Sequence, residues 1–137
     1  KDGNVDLLWH HMQTGGLYVW FMGGPALIRD QHIATIPDTQ WKVVGVGDFN
    51  RDGNLDILWQ HQTNGLVYVW YMDGPAFLRD QKIATLGDPR WQIIRVADFN
   101  DDGHPDILWQ HPETGALYVW HMNGPLFIHE QNIARKK

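Results

Sequence analysis

The chain repeats itself. Asp2-Gly3 returns as Asp52-Gly53 and Asp102-Gly103, Trp9 as Trp59 and Trp109, and Tyr18-Val19-Trp20 as Tyr68-Val69-Trp70 and Tyr118-Val119-Trp120, each time 50 residues on and without a gap. Trp41 returns in the same way as Trp91. About half of the positions between Asp2 and Ala34 are the same in all three copies. A period of this length makes each unit one supersecondary block that buries its apolar surface by stacking on its neighbours.

The second copy gives the plainest reading of one unit. Trp41 to Phe49 is rich in β-branched residues and predicts a strand. Asn50 to Asp56 is a polar loop, Ile57 to His61 a second strand, Gln62 to Gly65 a turn, and Leu66 to Met72 a third strand. Asp73-Gly74-Pro75 breaks the ladder, because Pro has no N–H to donate and Gly accepts unusual backbone angles. Phe77 to Leu86 carries a fourth, more polar strand, as suits an outer edge. No segment has helical periodicity.

Four antiparallel strands per unit is the content of one β-propeller blade. The third strand is apolar on both of its faces, which suits a sheet packed on both sides rather than one with a wet face. The expected fold is therefore all-β, with propeller blades in a single repeat region: a partial blade over residues 1–40, a blade over 41–90 and another over 91–137. Closed propellers have ~4–8 blades. The chain is then expected to be either part of a longer propeller, the favoured reading, or a protomer that closes a ring by association.

The polar loops carry the strongest chemical signal. Asp48, Asn50, Asp52 and Asp56 place side-chain oxygens at loop positions 1, 3, 5 and 9, with Gly53 at position 6 and the main-chain carbonyl of Asn54 at position 7. Asp98, Asn100, Asp102, Asp106, Gly103 and the carbonyl of His104 repeat the set. This spacing folds hard oxygen ligands around a cation such as Ca²⁺, which takes ~6–8 of them. Mg²⁺ keeps its waters and Zn²⁺ prefers His or Cys. Three carboxylates in one loop also repel one another unless a cation is present. The first copy retains Asp2, the carbonyl of Asn4, and Asp6, an incomplete set.

The run Asp-Phe-Asn-x-Asp-Gly-x-x-Asp-Ile-Leu-Trp, at Asp48–Trp59 and Asp98–Trp109, resembles the FG-GAP/VCBS repeat. The resemblance spans essentially the whole chain. It implies an integrin-α-like propeller with Ca²⁺ in the loop between the first two strands of each blade, and a secreted or cell-surface protein. It also implies a binding or adhesive role toward a glycan or a protein partner. Some fungal lectins similar to this family hold sugars between neighbouring blades.

A four-residue hairpin loop at Gln62–Gly65 pairs Trp59 with Tyr68 and Ile57 with Trp70, placing Trp59, His61, Tyr68 and Trp70 on one face. The same face recurs around Trp9 and His11, and around Trp109 and His111. The rings are either a sugar platform or, the favoured reading for the Trp residues, packing between blades. His11, His61 and His111 stand at a strand end, where contact with a ligand is easier. The other His residues, at 10, 32, 104, 121 and 129, are expected at the surface, and Met22, Met72 and Met122 in the core.

Composition excludes several classes. A net charge of −5 lacks the basic footprint that nucleic-acid binding requires. No apolar run approaches the ~18 residues that cross a bilayer. The absence of cysteine removes disulfides and thiolate metal sites. No nucleophile elbow, phosphate loop or zinc-protease motif is present. Repeated sites suit multivalent binding better than catalysis, so the expectation is a non-enzymatic module. Its alternative is a calcium-stabilised scaffold that associates with itself or with protein partners.

Overall fold

The computed structural model describes residues 7–135 except 12, 24, 75 and 89, so Asp2, Asn4 and Asp6 of the first loop lie outside the described residues. Among the described residues there are strands and turns but no helix. Strands β1 (Leu7–His10), β2 (Gly16–Gly23) and β3 (Ala26–Thr35) form a three-stranded antiparallel meander. Strands β4 (Trp41–Gly47), β5 (Asp56–His61), β6 (Leu66–Asp73) and β7 (Ala76–Thr85) form a four-stranded one. A second four-stranded sheet follows, of β8 (Gln92–Ala97), β9 (Asp106–Gln110), β10 (Ala116–Asn123) and β11 (Leu126–Arg135).

The predicted register is present: Trp59 pairs with Tyr68 and Ile57 with Trp70, and the same pairs recur in the other two sheets. Strand boundaries shift by one or two residues from expectation, and two of the shifts have a local cause. The first strand of the middle sheet stops at Gly47, since the Phe49 N–H donates to the Asp56 carboxylate instead of to the ladder. The last strand stops at Thr85, since the Leu86 N–H donates to the Gly65 carbonyl of the hairpin turn. Each outer strand also skips register twice, at Ile28 and Ile33, Leu78 and Ile83, Ile128 and Ile133. Such bulges add twist and blunt an exposed edge.

The core lies between the sheets. Leu17, with Leu8, Ile33 and Ile36, packs against Ile57, Trp59, Met72 and Tyr68 of the middle sheet. On the opposite face of the middle sheet, Leu58, Val67, Val69 and Tyr71 pack against Ile93, Ile107, Trp109 and Met122. The middle sheet is thus covered on both sides, and every residue of β5 is buried. That is the stacking expected of successive propeller blades.

The inner strands approach closely where β4 meets β8. A Cβ built on Gly45 would stand 2.5 Å from Val96 Cγ2, and one on Gly47 3.1 Å from Val96 Cγ1. Gly45→Val should therefore overpack this seam and destabilise the fold by about 1–3 kcal/mol. Urea unfolding of the variant checks this, with the midpoint falling and the slope unchanged.

Candidate metal loops and inter-blade pockets

Both complete loops have one backbone design. Arg51 and Asp101, at loop position 4, have φ of 60° and 61°, and Gly53 and Gly103, at position 6, have φ of 86° and 84°. These left-handed steps coil the chain and turn its oxygens inward. In the third repeat Asp98 Oδ1 accepts from the Asp102 N–H at 3.1 Å, and Oδ2 from Gly103 at 2.7 Å. Asp102 Oδ1 accepts from the His104 N–H at 2.9 Å. Asp106 is fully buried and accepts from Phe99 and Met122 at 3.0 and 2.9 Å. Asp48, Asp52 and Asp56 make the matching bonds in the second repeat.

One carboxylate oxygen from each of Asp98, Asp102 and Asp106 lies within 4.8 Å of the other two, a spacing at which three negative groups favour a cation. Among the described residues, Asp48, Asp52 and Asp56 do not close to that spacing. The donors are all hard oxygens, so the residues fit Ca²⁺ and not a thiophilic metal. Asn50 and Asn100 are exposed at position 3, and Asn54 and His104 are half-buried at position 7. The Arg51 guanidinium of the second loop reaches across to Gly103 of the third.

The histidines have a different task from the expected contact surface. His61 is buried; its Nδ1 accepts from the Thr63 and Asn64 N–H groups at 3.2 and 3.1 Å, while Nε2 meets Asp38 Oδ2 at 2.8 Å. With Nδ1 accepting, the proton sits on Nε2 and is donated to Asp38. His111 repeats this with Glu113, Thr114 and Asp88, the last at 3.0 Å. Each ring ties a hairpin turn to the segment that enters its blade, and both ring nitrogens are engaged. His11 keeps the turn bond, from Thr14, and is exposed.

Three of the histidines expected at the surface are not exposed: His121 is buried, and His10 and His104 are half-buried. His121 is buried, with Nε2 3.1 Å from Gln131 Oε1 and Nδ1 3.7 Å from Asp106 Oδ2. It fills the place of Tyr71, whose hydroxyl bonds Gln81. His10 is half-buried and packs edge-on to Trp59 at 5.3 Å. Met72 and Met122 are in the core as expected.

Between the blades the structure forms the same cavity twice. One, of about 320 Å³, is lined by Ile36, Trp41, Trp59, Tyr68, Trp70 and Asp80. The other, of about 300 Å³, has Leu86, Trp91, Trp109, Tyr118, Trp120 and Glu130 at the corresponding positions. Trp59 and Trp109 are 1% and 2% exposed, packing residues as favoured, yet each forms part of a cavity wall. Among the described residues their indole N–H groups have no partner. Trp41 and Trp91 enter from the inner strand side, and Asp80 and Glu130 from the outer strand. The sequence signal for both was their recurrence at the repeat period, acid for acid and Trp for Trp.

Asp88 yields a pH prediction. The Arg90 guanidinium, and after it the His111 ring, hold the Asp88 carboxyl well below the usual carboxylate range. Its folded value lies below its unfolded one, so the stabilisation is complete above about pH 3.9 and fades as pH falls through the folded value. Asp88→Asn should lower the melting temperature at neutral pH. The gap to the parent chain should close as the pH is taken below about 4, a trend that thermal melts across pH will read.

A family model described as FG-GAP-like repeat matches residues 1–59 and again 48–109. No curated protein and no solved structure matches the chain. The two matches step along the chain with the blades, and each contains a loop set between the first and second strands of a sheet: the chain belongs to the FG-GAP repeat family.

Proposed function

We propose that the chain is a non-enzymatic, calcium-binding propeller module that works outside the cell and binds glycans, with one weak site per blade. The observation that carries this reading is the inter-blade cavity repeated with its aromatic walls and its carboxylate. A pyranose ring presents an apolar C–H face that stacks on Trp or Tyr, and hydroxyls that donate to a carboxylate. Cavities of ~300 Å³ suit one sugar residue. Repetition then multiplies weak single-site affinities by ~10²–10⁴ on a multivalent surface.

Ca²⁺ would be held by Asp98, Asn100, Asp102, Asp106 and the His104 carbonyl, and in the second repeat by Asp48, Asn50, Asp52, Asp56 and the Asn54 carbonyl. Bound there, it supplies the positive charge that three crowded carboxylates lack. Its role in this reading is to stiffen the blade ends, and extracellular modules do this with dissociation constants of ~10⁻⁴–10⁻³ M.

Two measurements test the reading. Calcium at about a hundred times its dissociation constant should add about 2.7 kcal/mol of stability, raising the melting temperature on the order of 5–10 °C, and Asp98→Ala should lose part of the gain. No response to calcium or chelator would remove the metal from the proposal. Titration against a panel of immobilised saccharides should find a binder. Asp80→Asn and Glu130→Gln, both at exposed positions, should each weaken one site ~10–100-fold through loss of a charged acceptor. A panel without any binder sinks the glycan reading.

A further inference from the structure

The two inter-blade cavities repeat their geometry as well as their residues. In the first, Trp41 stands edge-on to Tyr68 at 5.5 Å between ring centroids, and Trp59 lies tilted against Trp70 at 5.0 Å and 50°. In the second, Trp91 meets Tyr118 at 5.5 Å, and Trp109 meets Trp120 at 5.0 Å and 53°. Each cavity is thus walled by four aromatic rings. The faces of such rings carry the negative part of the π quadrupole and attract a cation.

Charge is sorted across the outer strands. Asp80 stands opposite Trp70 and Glu130 opposite Trp120, so both acids lie on the cavity face. Arg79, next to Asp80, stands opposite Tyr71 and turns to the other face, with its guanidinium 4.2 Å over the Tyr71 ring. Among the described residues the ion pairs involve other acids, and neither cavity has Lys, Arg or His in its wall. Glu130 accepts one hydrogen bond, from the Trp120 indole at 3.3 Å. The second cavity adds Asp88, which Arg90 and His111 already hold. The change from Asp80 to Glu130 between copies alters reach and keeps the charge.

A neutral ligand that covers such a carboxylate strips its water and returns neutral hydrogen bonds, whereas an ammonium returns a charge. The acids are exposed, while the rings are half-buried or buried, so the charge belongs at the mouth and an apolar body inside. We propose that the cavities select a saccharide unit bearing a protonated amine. Its ring stacks on the Trp wall, and its ammonium, on the ring edge, meets Asp80 or Glu130. This rests on the glycan reading above and names the class of sugar within it; the cation loops play no part. The two sites are unequal. Lys82 stands opposite Tyr68 on the cavity face, two residues from Asp80, where the second cavity has Asn132 opposite Tyr118. Lys82 repels an ammonium, so the cavity at Glu130 is the stronger amine site.

Titration of the whole chain, followed by Trp fluorescence at mildly acidic pH and low salt, tests the proposal. The probes are the trisaccharide of glucosamine, its N-acetylated form and the corresponding glucose trisaccharide. The amine form should bind ~10–100-fold more tightly than either neutral form, and added salt should shrink the difference. Glu130→Gln should remove most of this preference. Lys82→Asn, added to that variant, should restore about fivefold of it through the cavity at Asp80. Both positions are exposed, and circular dichroism checks that each variant is folded. Equal binding of all three probes would overturn the amine selection and leave the glycan reading standing. So would a binder among other saccharides with none for glucosamine. Equal binding of a short oligolysine would overturn the sugar as carrier of the charge. Failure of every saccharide would remove both readings.

Discussion

Each complete repeat is organised around one buried carboxylate. Asp56 and Asp106 have no exposed surface, and each takes a backbone N–H on both oxygens, one from its own loop and one from the third strand of its sheet. A buried carboxylate without partners costs several kcal/mol, and N–H bonds to a charged group return about 1.5–3 kcal/mol each. Burial pushes the Asp56 carboxyl up, while the Met72 and Phe49 N–H groups pull it back down. The loop, the start of the second strand and the end of the third therefore hold one another in place. The same carboxylate belongs to the candidate cation site, so loop and core share an atom.

The second constraint is that a blade cannot hide both faces by itself. The middle sheet does so because a sheet stands on either side, and the half-empty outer sheets show the same residues uncovered. The inter-blade cavities follow from this arrangement. Their walls come from an inner strand, a hairpin and an outer strand of one blade, closed by an aliphatic residue of the blade before. Neither site type requires a unique residue, and both scale with the number of blades.

Fold and register were legible because the signals are local. The Gln62–Gly65 turn sets the pairing of β5 with β6, and alternation along two short strands does the rest. The acidic cluster was legible for the same reason, since Asp98, Asp102 and Asp106 lie within nine residues. The cavity was only half visible. Trp59 and Tyr68 belong to one hairpin, but Trp41 and Asp80 reach the same space from strands whose register depends on a bulge and on the neighbouring sheet. His61 shows the opposite failure. Its place at a strand end suggested contact, but Asp38, 23 residues earlier and in the connection between blades, accepts a hydrogen bond from its ring.

Near-identity of the copies has a cost during folding. Residues 56–61 and 106–111 are the same six amino acids, so β5 and β9 can each pair with the third strand of either repeat at similar energy. Chain proximity favours the correct hairpin, since four-residue turns close far faster than fifty-residue loops. Ordering the sheets is harder, because stacking surfaces of equal chemistry give a landscape with competing minima. The copies disagree where that choice is made: Gly45 admits the inner strand of the third sheet while its counterpart is Arg95, and Tyr71 and His121 fill the same niche with different shapes. These few mismatches act as addresses, and replacing them with a perfect consensus would leave a chain that knows how to build blades but not in which order to stack them.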